Sequence, residues 1–189
     1  MNFISRLLFV LLCFSSTMSF AEKAPVSFTD FIKNKTVQQG YFSFYHDKSQ
    51  GKVYLQIDKF DQEFLFQSSL PHGVGSNDIG LDRGQLGDTR LVRFERVGNK
   101  VFLKQLNTYY RADSENLLEQ KAIDEAFASS IIWGFTVANE MVDSSKNTQK
   151  VLIDYTPFLL SDIHNISQKL KSKMQGSFKV DDSRSALYV

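Results

Sequence analysis

The side chains that could carry chemistry are few and scattered. The three histidines are His46, His72 and His164, and none opens an H-E-x-x-H pattern, which would set two zinc ligands on one helix face. The single cysteine, Cys13, lies in the apolar N-terminal segment, so the rest of the chain has no thiol for a disulfide or a metal. A serine-nucleophile elbow is missing because Gly73-Val74-Gly75-Ser76-Asn77 has the wrong order. Gly73-Val74-Gly75 also lacks the third glycine of a dinucleotide fingerprint, and no Gly-Lys-Ser/Thr phosphate loop occurs. His46 sits beside Phe42 and Phe44, and His164 next to an apolar helical stripe, where hydrogen-bonded structural roles are expected. Trp133, among Ile131, Ile132 and Phe135, is expected in the core. No cofactor and no catalytic residue of this chain's own are expected.

One stretch breaks the pattern. Residues 73–87 hold five of the chain's ten glycines, together with Asn77, Asp78 and Asp82. So polar and glycine-rich a run predicts a long loop rather than a strand or helix, and long loops in compact domains are usually functional or disordered. His72 heads it, Asp82 and Arg83 put opposite charges at its tip, and Arg90 and Arg93 follow directly. An arginine fork can bind a carboxylate bidentately across an interface. His72, Asp82, Arg83, Arg90 and Arg93 are therefore the candidate residues for an interdomain or ligand contact, with the loop mobile until a partner covers it. The competing reading is a solvated surface loop.

Around that stretch the pattern is mostly β. Residues 42–46 and 53–57 alternate about a polar turn at 47–51, and 63–69 form a third strand. Residues 90–97 and 100–106 flank Gly98-Asn99, whose leading glycine suits a type II′ hairpin. That turn sets Phe94 opposite Leu103, with Val92 and Val101 on the same core face and Arg93 and Glu95 on the other. A helix is predicted over 114–129, with Leu118, Ala122, Ile123, Ala126 and Phe127 as its apolar stripe. Strands follow at 131–139 and 150–156. Thr156-Pro157 then opens a second helix, with Thr156 as cap and Leu159, Ile163, Ile166 and Leu170 as its stripe. Residues 26–32 read as a short amphipathic segment, 33–39 as a polar link, and 186–189 as the start of a further strand. The fold class expected is α+β, an antiparallel, hairpin-rich β-sheet with two packed helices.

The N-terminus orders Arg6, an apolar run over 7–14 and a small polar stretch ending at Ala21, which predicts a signal peptide cleaved after Ala21 and a periplasmic or secreted product. The apolar run falls short of the roughly 20 residues that span a bilayer, so no stable membrane insertion is expected after cleavage. Three segments result: a signal peptide over 1–21, a linker with a short helix over 22–40, and one α+β domain over 41–189. Beyond residue 21, 21 basic residues balance 21 acidic ones, which leaves no electrostatic footprint for nucleic acid.

Several runs resemble one family. They are the Gly-Ser-Asn-Asp-Ile-Gly-Leu-Asp-Arg-Gly-Gln-Leu-Gly stretch at 75–87, Arg-x-x-Arg-Phe-Glu-Arg at 90–96, and Tyr110-Arg111-Ala112. Trp133-Gly134-Phe135, the passage 154–160, and Gly176-Ser177-Phe178 through Asp182, Arg184 and Ser185 continue the match. Together they resemble the N-terminal domain, of unassigned function, of exported bacterial zinc-dependent metalloproteases of the zincin type. The resemblance implies that an H-E-x-x-H catalytic domain lies further on, that zinc belongs to that domain alone, and that this piece supports or shields it. The partner would be that protease domain or a separate protein, and no catalytic or metal residue carries over to this chain. The reading from another class is a free-standing periplasmic binding module that uses the loop at 73–87.

Overall fold

The computed structural model describes residues 26–73, 77–110, 112–145 and 148–188; the expected signal peptide lies outside them. Eight antiparallel strands form one sheet: β1 (Thr36–Gln38), β2 (Ser43–Asp47), β3 (Lys52–Ile57), β4 (Phe64–Phe66), β5 (Arg90–Val97), β6 (Lys100–Gln105), β7 (Ser130–Asp143) and β8 (Thr148–Asp154). Their order is β1-β2-β3-β8-β7-β6-β5-β4. The four helices are α1 (Phe28–Ile32), α2 (Leu117–Ala126), α3 (Thr156–Leu159) and α4 (Ile166–Ser172).

The sheet curls because β7 serves two neighbours in succession. Its first half pairs with β6 down to Lys100↔Thr136, and its second half pairs with β8 from Val137↔Ile153 onward. Irregularities at Leu103/Lys104 and between Val137 and Asn139 fall near the handover, where a bulge adds bend and twist. The curl brings the two ends of the sheet together. Phe42, just before β2, meets Phe64 of β4 edge-on at 5.1 Å, and both rings pack on Phe94 at 5.4 Å. Offset and edge-to-face contacts are the geometries that aromatic quadrupoles favour. Inside the curl lie Leu55, Ile57, Val92, Phe94, Val101, Leu103, Phe135, Val151 and Ile153, all nearly inaccessible to solvent.

The β5–β6 hairpin matches its sequence-based register, with Phe94 opposite Leu103 and Val92 and Val101 buried on the same face. Gly98 takes a φ of 58° and Asn99 does not follow it into the left-handed region, as a type II′ turn requires.

The helices depart from expectation, so the α+β description holds only in its coarse sense of a β-rich fold with helices. α1 packs Phe28, Phe31 and Ile32 against Tyr45, Tyr54 and Leu152 on the outer face. The segment read as a polar link supplies β1, paired with β2 from Thr36↔His46 to Gln38↔Phe44, and Lys35 in it makes a 3.2 Å ion pair with the nearly buried Asp47. The helix expected over 114–129 is shorter, begins at the Asn116 cap, and leaves Leu117 and Leu118 about three-quarters exposed (75% and 76%). None of its described residues joins the core of the sheet. The expected second helix is two. α3 drives Phe158 into the core, and the Thr156 hydroxyl bonds the β3 backbone at Val53 instead of capping. The chain then turns, Asn165 adopts a left-handed φ of 52°, and the Asp162 carboxylate accepts from Ile166 N and Ser167 N to start α4. Residues 186–188 form no strand.

Candidate functional site

The glycine-rich stretch folds back onto the sheet. Leu81 is buried to 1% exposure, and residues 84–87 run beside 68–70 in a short ladder. Gly84 N donates to Leu70 O at 2.7 Å, Leu70 N to Gln85 O at 2.9 Å, and Gly87 N to Ser68 O at 2.8 Å. Two glycines have local reasons. At Gly73 a Cβ would press within 3.1 Å of Arg83 N, and Gly84 holds a φ of 81°, a conformation that side chains disfavour. Residues 81–87, expected as part of a loop that stays mobile until a partner covers it, make main-chain hydrogen bonds to residues 68–70 and bury one leucine. Residues 74–76, part of the same expectation, lie outside the described residues.

The five candidate residues do not converge. His72, Asp82 and Arg83 are exposed. Arg90 lies 3.6 Å from the Asp88 carboxylate and shares the strand parity of Val92 and Phe94, whereas Arg93 has the opposite parity. Side chains alternate along a strand, so Arg90 and Arg93 stand on opposite faces of β5.

Arg93 instead borders a cleft of about 560 Å³ beneath the connection from β6 to β7. One wall is the stack of Tyr110 on Phe127, with ring centroids 4.0 Å apart and planes 13° from parallel. Glu63 and Gln120 also line it. The Arg93 guanidinium reaches Glu95 only at 3.5 Å, while Lys104 holds the Glu95 carboxylate at 2.9 and 3.0 Å. The Lys104 hydrogen bond leads in holding the Glu95 carboxyl below its ordinary range, against a smaller opposing effect of burial. Arg93 Nε is buried without a partner among the described residues. The cleft offers an under-engaged cation beside an aromatic wall.

A larger groove, about 900 Å³, runs between residues 66–71 and the α3–α4 region. Phe66, Phe158, Leu159, Ile163 and Leu170 make its walls apolar, and residues 178–180 and 185–188 close one flank. His164 lines it, with Nε2 buried and unpartnered among the described residues. Ser68 and Asp162 line it too, yet no serine-hydrolase relay is assembled, because the Asp162 carboxylate is committed to the start of α4. Burial would raise the Asp162 carboxyl, but the hydrogen bonds from Ser167 and Ile166 outweigh it and hold it below the ordinary carboxylate range. Burial pushes the Tyr155 phenol far up, so it stays a neutral wall. Residue types alone did not single out this groove. Its only sequence signal was His164, set against an apolar stripe.

Among the described residues, no group of three or more His, Cys, Asp or Glu side chains is placed to hold a metal, and no helix is long and apolar enough to cross a membrane. The fold thus defines a β-rich antiparallel domain with a polar cleft and a larger apolar groove. The family described as "Domain of unknown function (DUF5117)" matches residues 84–189, more than half of the chain, and the chain belongs to that family. No curated protein and no solved structure matches it.

Proposed function

We propose that the chain is an accessory domain of an exported zinc-dependent metalloprotease, supporting or shielding a catalytic domain. The resemblance of residues 75–87, 90–96, 133–135 and 176–185 to the N-terminal domains of such proteins supplies the class. The observation that carries a docking role is α2. Leu117 and Leu118 are 75% and 76% exposed and Tyr109 is 90% exposed, an apolar display that a partner surface would bury. The zinc and the protein-cutting chemistry belong, on this reading, to the partner. Export follows from the N-terminal segment, with cleavage after Ala21.

Reading the gene past the codon for Val189 tests the class, and hydrogen exchange tests the docking. An open frame that reaches H-E-x-x-H, with the amides of α2 slower to exchange in the longer protein than in residues 22–189 alone, is the expected result. A stop codon at that point, with α2 exchanging equally fast in every complex the protein forms, sinks the proposal. The second reading, a free-standing periplasmic binding module, is favoured by the 900 Å³ groove, although that groove lies apart from the tip of the loop first held responsible.

A further inference from the structure

The wall of the large groove is a strand seen from its edge. Phe66, Gln67, Ser68, Ser69, Leu70 and Pro71 line it consecutively. A sheet face presents every second residue, so a run of both parities marks an edge. β4 is the last strand in the sheet order, and its continuation pairs inward, with Ser69 opposite Leu86, Ser68 O accepting from Gly87 N and Leu70 N donating to Gln85 O. In that alternation the Ser69 N–H and C=O turn outward, and among the described residues they take no main-chain partner. An unpaired edge is a template for one more strand. Facing it across the apolar floor are Leu159 and Ile163. The arrangement matches the mode in which an extended peptide adds to a sheet edge while alternate side chains enter pockets.

From this edge and groove we propose that the domain binds an extended peptide segment, which pairs with the outer edge of residues 67–69 and lays alternate apolar side chains along the α3–α4 wall. The charge at one end specifies the segment further. Lys179 lines the groove, and a neighbouring pocket of about 340 Å³ shares Asp162, Ser167 and Phe178 with it and adds Lys171. Lys171 and Lys179 outnumber the one carboxylate lining the two pockets, Asp162, so the net charge that meets a ligand there is positive. The segment is therefore apolar at alternate positions with an acidic residue at that end. This inference stands on the groove alone and does not depend on the metalloprotease reading.

The test uses the ¹⁵N-labelled chain and the synthetic peptide acetyl-Glu-Val-Thr-Val-Thr-Val-amide. Saturable binding that slows exchange of the Ser69 amide by about tenfold is expected, because that amide gains a hydrogen bond it lacks when free. Replacing the peptide's glutamate by lysine should weaken binding by about tenfold through like charge at Lys171 and Lys179. Leu159→Glu, at a residue 45% exposed, should abolish binding while leaving the amide spectrum of the sheet in place. Three results would overturn the proposal: unchanged exchange at Ser69, equal binding by the peptide N-methylated at alternate amides, or laurate occupying the groove to the peptide's exclusion.

Discussion

Two long connections leave this sheet, and their fates are opposite to their compositions. Residues 67–89 join β4 to β5, and residues 106–129 join β6 to β7; both pairs of strands are antiparallel, and β4–β5 and β6–β7 are each neighbours that a short turn could have linked. The first connection is glycine-rich and polar, yet three main-chain hydrogen bonds between its two arms extend the β4–β5 ladder into it, and its Leu81 is buried. The second is periodic enough to form a helix, yet that helix leaves its leucines in solvent. Apolar periodicity reports what conformation a segment favours. Whether the segment is buried depends on a matching edge or face, which the rest of the chain supplies.

The comparison can be broken by graded substitutions followed in denaturant melts. The reference is Phe94→Ala, which empties a site 2% exposed at the centre of the aromatic cluster and should cost about 3–5 kcal/mol. Leu81→Ala should cost about 2–5 kcal/mol if the glycine-rich connection is part of the core, and it should speed amide exchange at Gly84 and Gly87. A loss below about 0.5 kcal/mol would return that stretch to the class of idle surface loops. Leu118→Ala should change stability by no more than about 0.5 kcal/mol, since its side chain buries little in the isolated domain. A loss as large as that of Leu81→Ala would mean that α2 packs on the sheet after all.

What the sequence made legible was local. The alternation of residues 42–46, 53–57 and 90–106 and the leading glycine of Gly98-Asn99 fixed strands, a turn and a register, because each depends on contacts a few residues apart. Three features depended on distant partners and were not legible. Thr36–Gln38 looked like a link because an edge strand needs only β2 beside it. The second helix was expected whole because its apolar stripe runs through Asp162 and Asn165, whose roles as cap and left-handed corner show only once the chain is folded. The arginines at 90 and 93 were grouped by nearness in sequence, while their odd spacing sends them to opposite sides of β5. The groove was not legible because its defining element is the outward main-chain N–H and C=O of Ser69, which no side-chain pattern records.

The β3–β8 pairing has a consequence for the chain's history rather than its final shape. Tyr54 lies against Asp154 and Ile57 against Val151, so the first hairpin waits for residues nearly a hundred positions later. At typical synthesis speeds that interval lasts roughly 5–20 seconds, during which β3 has made one neighbour and not the other. A strand in that state is adhesive, and contacts so far apart in sequence are the slowest to form. The nascent polypeptide therefore passes through a window in which Val53, Leu55 and Ile57 have nowhere native to go, and the arrival of β8 closes it.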